Sequence, residues 1–589
     1  MNVSTRVARA VLGELVHQGV REVVLAPGSR SAPLAFEALR LSRAGVLRLH
    51  VRLDERSAAF LALGLAKASG AAVAVVCTSG TAVANLAPAV VEASYSAIPL
   101  VVVTADRPPE SRGVGSPQTI DQVGFFGEMV RASTDLTTAR GSSAGDPESI
   151  ERAARATVAS MLRSALADGR SRTGADPARG PHTGPVHLNV GFRMPLVPEL
   201  GEVADPAPAV GSPPRVRRTP LPGCDCRDLG SLIGEVPARG VLLVGDLPPE
   251  PLAGHHQWLV ELAERCGWPI VAEPTANLHP AAATLAHAPL VLGSGSFMDA
   301  HTPDLVLSVG LFGLSRPTLE LLRRSRRHVA LDLSDVGREI CDPLRTASQV
   351  LGAIPLPPDD MELDPQWLAD WQHADRIAAD RVADRLGVGF SGTSAVRQLW
   401  QRLADDALLL VAASWPVRQL ELAGGRRQGV AVIGNRGANG IDGLVSTAWG
   451  AALAHQARGG GRAYAILGDL AFLHDQNGLL AGADEPRPDL TLVVLDNNGG
   501  GIFHQLEQGS ADYRGEFERI FGTPQDRDLV AVAGAAGVPA VRVADPAGLA
   551  EQLADLRPGV RLIVVDVPDR EAEAALLAEV RADVAHALT

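Results

Sequence analysis

Two polar turns stand out because each follows an apolar run. Gly468-Asp469-Leu470 follows AYAILG (463–468), and Asn497-Asn498-Gly499 follows LTLVVLD (490–496). Asn497 lies 28 residues beyond Asp469. If both runs are neighbouring strands, the turns end at one sheet edge. A carboxylate, an amide oxygen and a backbone carbonyl there make a hard oxygen set of the kind Mg²⁺ takes, completed by phosphate oxygens and water. The plainer reading is two strand-end turns, since Asp and Asn favour turns without any metal. A further carboxylate, Glu55 in VRLDERSAAFLALGLAKASG (51–70), stands at a strand-to-helix junction. By itself it reads as an acid placed favourably in a first helical turn. Lys67 is the only lysine, so any anion site is built from guanidinium forks or backbone N–H groups.

These residues need elements to hold them, and the chain reads as three segments. The first alternates buried strands, REVVLA (21–26), VAVVC (73–77), PLVVVT (99–104) and PVHLNV (185–190), with helical stretches such as Thr81–Tyr95. At the N-terminus, Val3, Val7, Val11 and Leu15 repeat at a helical step and read as one buried face. Residues 141–147 and 168–185 read as exposed Gly/Pro/Ser-rich loops, and 204–220 as a proline-rich linker. VLLVG (241–245), PIVAE (269–273) and DLVLSVG (304–310) imply a smaller central sheet. A polar helix, Pro365–Leu386, leads to the last segment, with LLLVAAS (408–414), AYAILG, LTLVVLD and VRLIVVDV (560–567). Such alternation predicts α/β architecture with three open, mostly parallel sheets. The expected domains are 1–200, 221–355 and 390–589. The outer two, similar in size, read as related sheets facing each other. Ligands in open α/β sheets bind beyond the carboxyl ends of strands, which points to 414–418, 434–443, 468–470 and 496–503.

Composition narrows the classes. Hydrophobic residues make up 46% and charged residues 21%, ordinary for a packed protein. A net charge of −13 argues against sequence-independent nucleic-acid binding, which needs a basic face. Five scattered cysteines do not form a disulfide framework. No run is long and apolar enough to span a bilayer and no signal-peptide core opens the chain, so a cytoplasmic protein is expected. No GxGxxG opens a helix after a strand, which leaves a nicotinamide dehydrogenase without its fingerprint.

The Gly-Asp turn followed some thirty residues later by Asn-Asn resembles the diphosphate-binding motif of thiamine-diphosphate enzymes. APGSRSAPL (26–34), TSGTAVANLAPAVVEA (78–93), TADRPPE (104–110), GNRGANGIDGLVSTA (434–448) and GDLAFLHDQNGLL (468–480) resemble, within that superfamily, the 2-succinyl-5-enolpyruvyl-6-hydroxy-3-cyclohexene-1-carboxylate synthases of menaquinone biosynthesis. The resemblance implies a first domain for the aminopyrimidine, a largely structural middle domain and a last domain for the diphosphate. It implies that Glu55 hydrogen-bonds the aminopyrimidine, and that Asp469, Asn497 and the Gly499 carbonyl hold Mg²⁺ or Mn²⁺. Gly468, Leu470 and the wedge Ile441 would contact the cofactor. Ser29, Arg30, Arg107 and Gln118 match residues placed around isochorismate. Ser414, Arg418 and Arg436 match those holding the distal carboxylate derived from 2-oxoglutarate. Arg316 matches a basic residue from the middle domain, and Ile502 and Phe503 an apolar wall.

The implied reaction decarboxylates 2-oxoglutarate on thiamine diphosphate and adds the succinyl carbanion to isochorismate, releasing CO₂. The implied assembly is a homodimer with shared active sites, or a homotetramer containing it. The nearest alternative is another thiamine-diphosphate 2-oxoacid decarboxylase or carboligase, such as an acetohydroxyacid synthase, which would favour smaller acceptors and lack the Arg418–Arg436 pair. A non-catalytic scaffold with a decayed site conflicts with intact Glu55, Asp469 and Asn497.

Overall fold

The computed structural model describes residues 1–137, 147–166, 183–199, 224–249, 255–278, 281–333, 341–357, 361–427 and 429–589. The linker 204–220 and nearly all of the loops 141–147 and 168–185 lie outside them.

Short, β-rich runs form parallel strands throughout. β1 (Glu22–Leu25), β2 (Arg48–Val51), β3 (Val73–Cys77), β4 (Leu100–Asp106), β5 (Ser133–Thr137) and β6 (Val186–Gly191) make a six-stranded sheet in the order β2-β1-β3-β4-β6-β5. Its central strands are buried along their whole length, as a sheet covered on both faces requires. β7 (Cys224–Asp228) through β13 (Ile354–Leu356) follow. Among them β8 (Gly240–Val244), β9 (Ile270–Ala272), β10 (Leu305–Val309), β11 (His328–Leu331) and β12 (Ala347–Leu351) form a five-stranded parallel sheet in the order β12-β11-β10-β8-β9. β7 pairs with β13. β14 (Leu408–Val411), β15 (Ala431–Ile433), β16 (Ala463–Gly468), β17 (Leu490–Asp496), β18 (Ala540–Val543) and β19 (Val560–Asp566) form a second six-stranded sheet, β15-β14-β16-β17-β19-β18. The first and third sheets thus share one strand order, counted from their own first strands. In the third, the order reverses direction between β14 and β16, which opens a crevice at the carboxyl edge.

Compactness divides the chain into two units. One comprises Met1–Thr219, Gly437–Ala454 and Asn477–Arg487; the other comprises Pro220–Arg436, His455–Gln476 and Pro488–Thr589. The first sheet belongs to the first unit, the other sheets to the second.

Three helical expectations meet different outcomes. Pro365–Leu386 is a helix, N-capped by Asp364, and buries Trp367, Trp371, Ala374, Ala378 and Val382. The first helix, Val3–His17, buries Val7, Val11 and Leu15, but Val3, at its first position, is 47% exposed. Thr81–Tyr95 is not one helix but two, Thr81–Asn85 and Ala87–Tyr95. Pro88 has no N–H to continue the ladder and is tolerated only in a first turn. Among the described residues, no helix is long and apolar enough to cross a membrane.

Candidate active site

In the first unit, Glu55 opens the helix Glu55–Ser69 directly after the N-cap Asp54. Asp54 Oδ1 accepts the N–H groups of Arg56 and Ser57 at 2.8 and 3.2 Å, while its Oδ2 accepts from Asn477 at 2.8 Å. Both ends of the cap are therefore tied, which fixes where Glu55 leaves the backbone. Its charge reaches the end of β3: burial pushes the Cys77 thiol well up, and Glu55 adds to that. The helix is crossed closely by residues 444–454. A Cβ on Gly64 would stand 2.1 Å from the Thr447 carbonyl, and one on Gly450 2.1 Å from the Leu61 carbonyl.

The loop carrying Ile441 is held by a carboxylate that sequence reasoning did not single out. Buried Glu92 accepts the N–H groups of Gly437 and Ala438 at 3.0 and 2.7 Å and the Ser96 hydroxyl at 2.6 Å; Lys67 stands 3.6 Å away. Ile441 remains partly exposed beyond that grip. The signal was present, since Glu92 lies within a quoted motif, but an acid in an apolar helix gave no hint of its partner.

Arg107 and Gln118 meet at Ser79. Arg107 donates to Ser79 Oγ at 2.5 Å and to the Pro117 carbonyl at 2.7 Å; Gln118 donates to the Ser79 carbonyl at 3.0 Å. Arg30 donates to the Phe192 carbonyl at 3.0 Å. Its guanidinium is held below its ordinary pKa by burial and then by the positive charge of Arg107, with Asp106 opposing. Two cations that disfavour each other in this way make a place for an anion. Ser29 is exposed beside Arg30.

In the second unit, Asp469 follows β16 and Asn497 follows β17, so paired strands deliver both to one edge. Burial, and then the charge of Asp496, pushes Asp469 up to about 7, against the N–H groups of Leu470 and Gly499 and the charge of Arg570. The Gly499 backbone thus lies against the Asp469 carboxylate. Asn497 Oδ1 is buried and accepts no hydrogen bond among the described residues. A buried acid beside an unused amide oxygen fits a divalent cation that prefers oxygen. Among the described residues no cluster of three His, Cys, Asp or Glu side chains offers a metal site, in keeping with a set that includes an amide and a carbonyl. Gly499 has φ +140°, and a Cβ there would lie 2.2 Å from the Gly522 carbonyl. Gly468 faces open space, and Leu470 is partly exposed.

At the same edge, Ser414 sits before the helix Trp415–Ala423 with φ +73°, a left-handed conformation uncommon for serine. Its carbonyl accepts from Arg418 at 2.9 Å. Arg418 is held below its ordinary pKa by burial, then by the charge of Arg436, with Glu421 and Glu273 opposing. Arg436 lies buried 3.5 Å from Glu273. Ile502 packs on the core, and Phe503 tilts against Phe521 at 5.5 Å. Arg316 is exposed at the first position of the helix Arg316–Arg324. The preceding loop is tied in, because Glu273 accepts the N–H groups of Gly313 and Leu314, both at 2.7 Å. Glu273 and Glu421 carried no sequence signal beyond being acids near strand and helix ends.

Family models for "Thiamine pyrophosphate enzyme, N-terminal TPP binding domain" and "Thiamine pyrophosphate enzyme, C-terminal TPP binding domain" match residues 5–125 and 431–567. An X-ray structure of a Mycobacterium smegmatis protein shares the fold, with a TM-score of 0.64 at 18% identity, covering 95% of this chain and 99% of that one. Parallel sheets covered by helices, a buried oxygen set after β16 and β17, and the two domain matches define a thiamine-diphosphate-dependent enzyme.

Full-length relatives narrow the class. The chain is 45% identical to the 2-succinyl-5-enolpyruvyl-6-hydroxy-3-cyclohexene-1-carboxylate synthase of Thermobifida fusca, over 100% of both chains. It is 42% identical to that of Saccharopolyspora erythraea over 96% of both, and 41% identical to that of Nocardia farcinica over 99% of this chain and 100% of the other. The chain belongs to this synthase family.

Proposed function

We propose that this chain decarboxylates 2-oxoglutarate and joins the resulting succinyl unit to isochorismate, giving 2-succinyl-5-enolpyruvyl-6-hydroxy-3-cyclohexene-1-carboxylate and CO₂. The observation that carries the reading is that two guanidinium groups act on each other's charge within each unit: Arg30 and Arg107 in the first, Arg418 and Arg436 in the second. Both substrates are dianions, and bidentate Arg–carboxylate pairing supplies orientation as well as charge. An acetohydroxyacid synthase, whose acceptors are smaller, has less use for two such pairs.

Bound thiamine diphosphate supplies the carbanion chemistry of decarboxylation and carbon–carbon bond formation. Glu55 would hold a proton at the aminopyrimidine, and Ile441 would pack against the cofactor. Asp469, Asn497 and the Gly499 carbonyl hold Mg²⁺ or Mn²⁺, with Gly468 and Leu470 beside the diphosphate. Ser414, Arg418 and Arg436 bind the distal carboxylate of 2-oxoglutarate, and Arg316 reaches it from the central sheet. Ser29, Arg30, Arg107 and Gln118 orient isochorismate. Ile502 and Phe503 exclude water from the reacting centre.

The domain reading is 1–200 for the aminopyrimidine, 221–355 central and 390–589 for the diphosphate. The assembly is a cytoplasmic homodimer, or a tetramer built from it, whose active sites each draw on two chains. The test is CO₂ release from 2-oxoglutarate with thiamine diphosphate and Mg²⁺, followed by mass spectrometry of the isochorismate adduct. Acetolactate formed from pyruvate, with no turnover of 2-oxoglutarate, would favour the alternative carboligase.

A further inference from the structure

Glu92 has no part in the proposed chemistry, yet it is buried in the helix Ala87–Tyr95 with both carboxylate oxygens engaged. Oε1 accepts the Gly437 N–H at 3.0 Å and the Ser96 hydroxyl at 2.6 Å, and Oε2 accepts the Ala438 N–H at 2.7 Å. Lys67, buried and the only lysine of the chain, places Nζ 3.6 Å from Oε1. We propose that Glu92 is a positioning residue: with Lys67, it ties the loop that carries Ile441 to the helix Glu55–Ser69, which opens with Glu55. The inference rests on the reading of Ile441 as the residue that packs against the cofactor.

The loop is held on both sides of Ile441. Before it, a Cβ on Gly437 would stand 2.7 Å from Ser96 Oγ, so the backbone lies directly on the turn that follows Glu92. After it, Gly443 has φ +61°, and a Cβ there would overlap the ring of Phe60, a residue of the helix Glu55–Ser69. Lys67 lies on that same helix. One helix therefore sets the place of both Glu55 and Ile441, through Phe60 on one side of the loop and through Lys67 and Glu92 on the other. The task suits a carboxylate. It accepts one N–H at each oxygen, whereas an amide offers one oxygen and turns an NH₂ group toward the other N–H. A buried carboxylate is costly without a cation, and Lys67 brings that charge from the helix that must be tied. A neutral side chain at position 92 would keep at most one of the two backbone bonds and would remove the ionic tie.

Glu92→Gln, which keeps the shape of the side chain, is the first test. In the full chain without cofactor, amide hydrogen exchange of peptides covering 437–441 should quicken by about 10–100-fold, the worth of a hydrogen bond to a charged group. With thiamine diphosphate and Mg²⁺ at saturation, confirmed by calorimetry, deuterium exchange at C2 of the cofactor should slow by about 10–100-fold, the scale of a small misplacement near a reacting centre. Ile441→Ala should slow it as well. A double variant should then be no slower than the slower single one, because Glu92 acts through Ile441. Gly437→Ala forces the loop away from Ser96 and leaves Glu92 and Lys67 in place; it should reproduce both changes, and it decides the matter if Glu92→Gln does not fold. Unchanged amide exchange, wild-type C2 exchange in Glu92→Gln or Gly437→Ala while Ile441→Ala is slow, or losses that multiply in the double variant would overturn the inference alone. Wild-type C2 exchange in Ile441→Ala would instead overturn the reading of that residue, and the inference with it.

Discussion

Glutamine at position 55 would keep the shape of the side chain and lose its capacity to take a proton. Glu55→Gln should therefore slow CO₂ release by about 10²-fold or more, the usual worth of a positioned acid–base group, while calorimetry shows thiamine diphosphate still binding. Undiminished release would remove Glu55 from the proposed role. The arginines divide the reaction between its halves. Arg418→Ala should weaken CO₂ release from 2-oxoglutarate, whereas Arg107→Ala should spare it and weaken isochorismate use by about 10–100-fold, the range for losing a charged hydrogen bond. Single-turnover assays of each half would show equal damage to both if the division is wrong. Glu421 also bears on stability. Its folded pKa of about 8 lies above the ordinary carboxylate range, so the folded state binds the extra proton. Stability conferred on that account is lost as pH rises from the ordinary value of 4.5 toward 8. The gain in melting temperature from Glu421→Gln should accordingly be larger at pH 8 than at pH 5.

Among elements, the crossing of the helix Glu55–Ser69 with residues 444–454 is an exacting contact within the first unit. It depends on Gly64 and Gly450, each facing a backbone carbonyl across the crossing. Gly64→Ala must push the helices apart, and overpacking of this kind costs about 1–3 kcal/mol. Chemical denaturation would register it as a lower midpoint at unchanged slope. A neutral or stabilising result would mean that the crossing yields easily. Because the helix begins at Glu55, the same variant should also impair CO₂ release more than an equally destabilising change in the helix Arg570–Ala587.

For the molecule as a whole, the shared-site proposal makes a quantitative forecast. Glu55 and Asp469 belong to different units of the chain. If each site takes one residue from either chain of an isologous dimer, a mixed dimer of Glu55→Gln and Asp469→Ala contains one doubly damaged site and one intact site. Random re-association makes about half the dimers mixed, so activity should recover to about a quarter of wild type. Continued inactivity, with mixed dimers confirmed by mass spectrometry, would rule the arrangement out.

Strands such as β3, β4, β16 and β17 could be read directly, because burial on both faces demands continuous apolar runs that few other structures explain. The turns after β16 and β17 were legible for the same reason: polar residues that end such runs must lie at a sheet edge. β2, β5, β15 and β18 were not legible. They are edge strands of three to five residues, and Ser133–Thr137 is half exposed along its length, so side-chain pattern does not separate them from loops. Pro88 could have announced the break in Thr81–Tyr95, but the apolar spacing on either side masked it. The grip of Glu92 on Gly437 and Ala438 spans more than three hundred residues of chain, and the pairing of Glu273 with Arg436 joins the ends of strands in different sheets. Local sequence determined the strands, their terminal turns and the chemical kinds of side chain placed there. Which buried acid meets which cation was decided only by tertiary structure, because a carboxylate reveals neither its depth nor its partner until distant segments close around it.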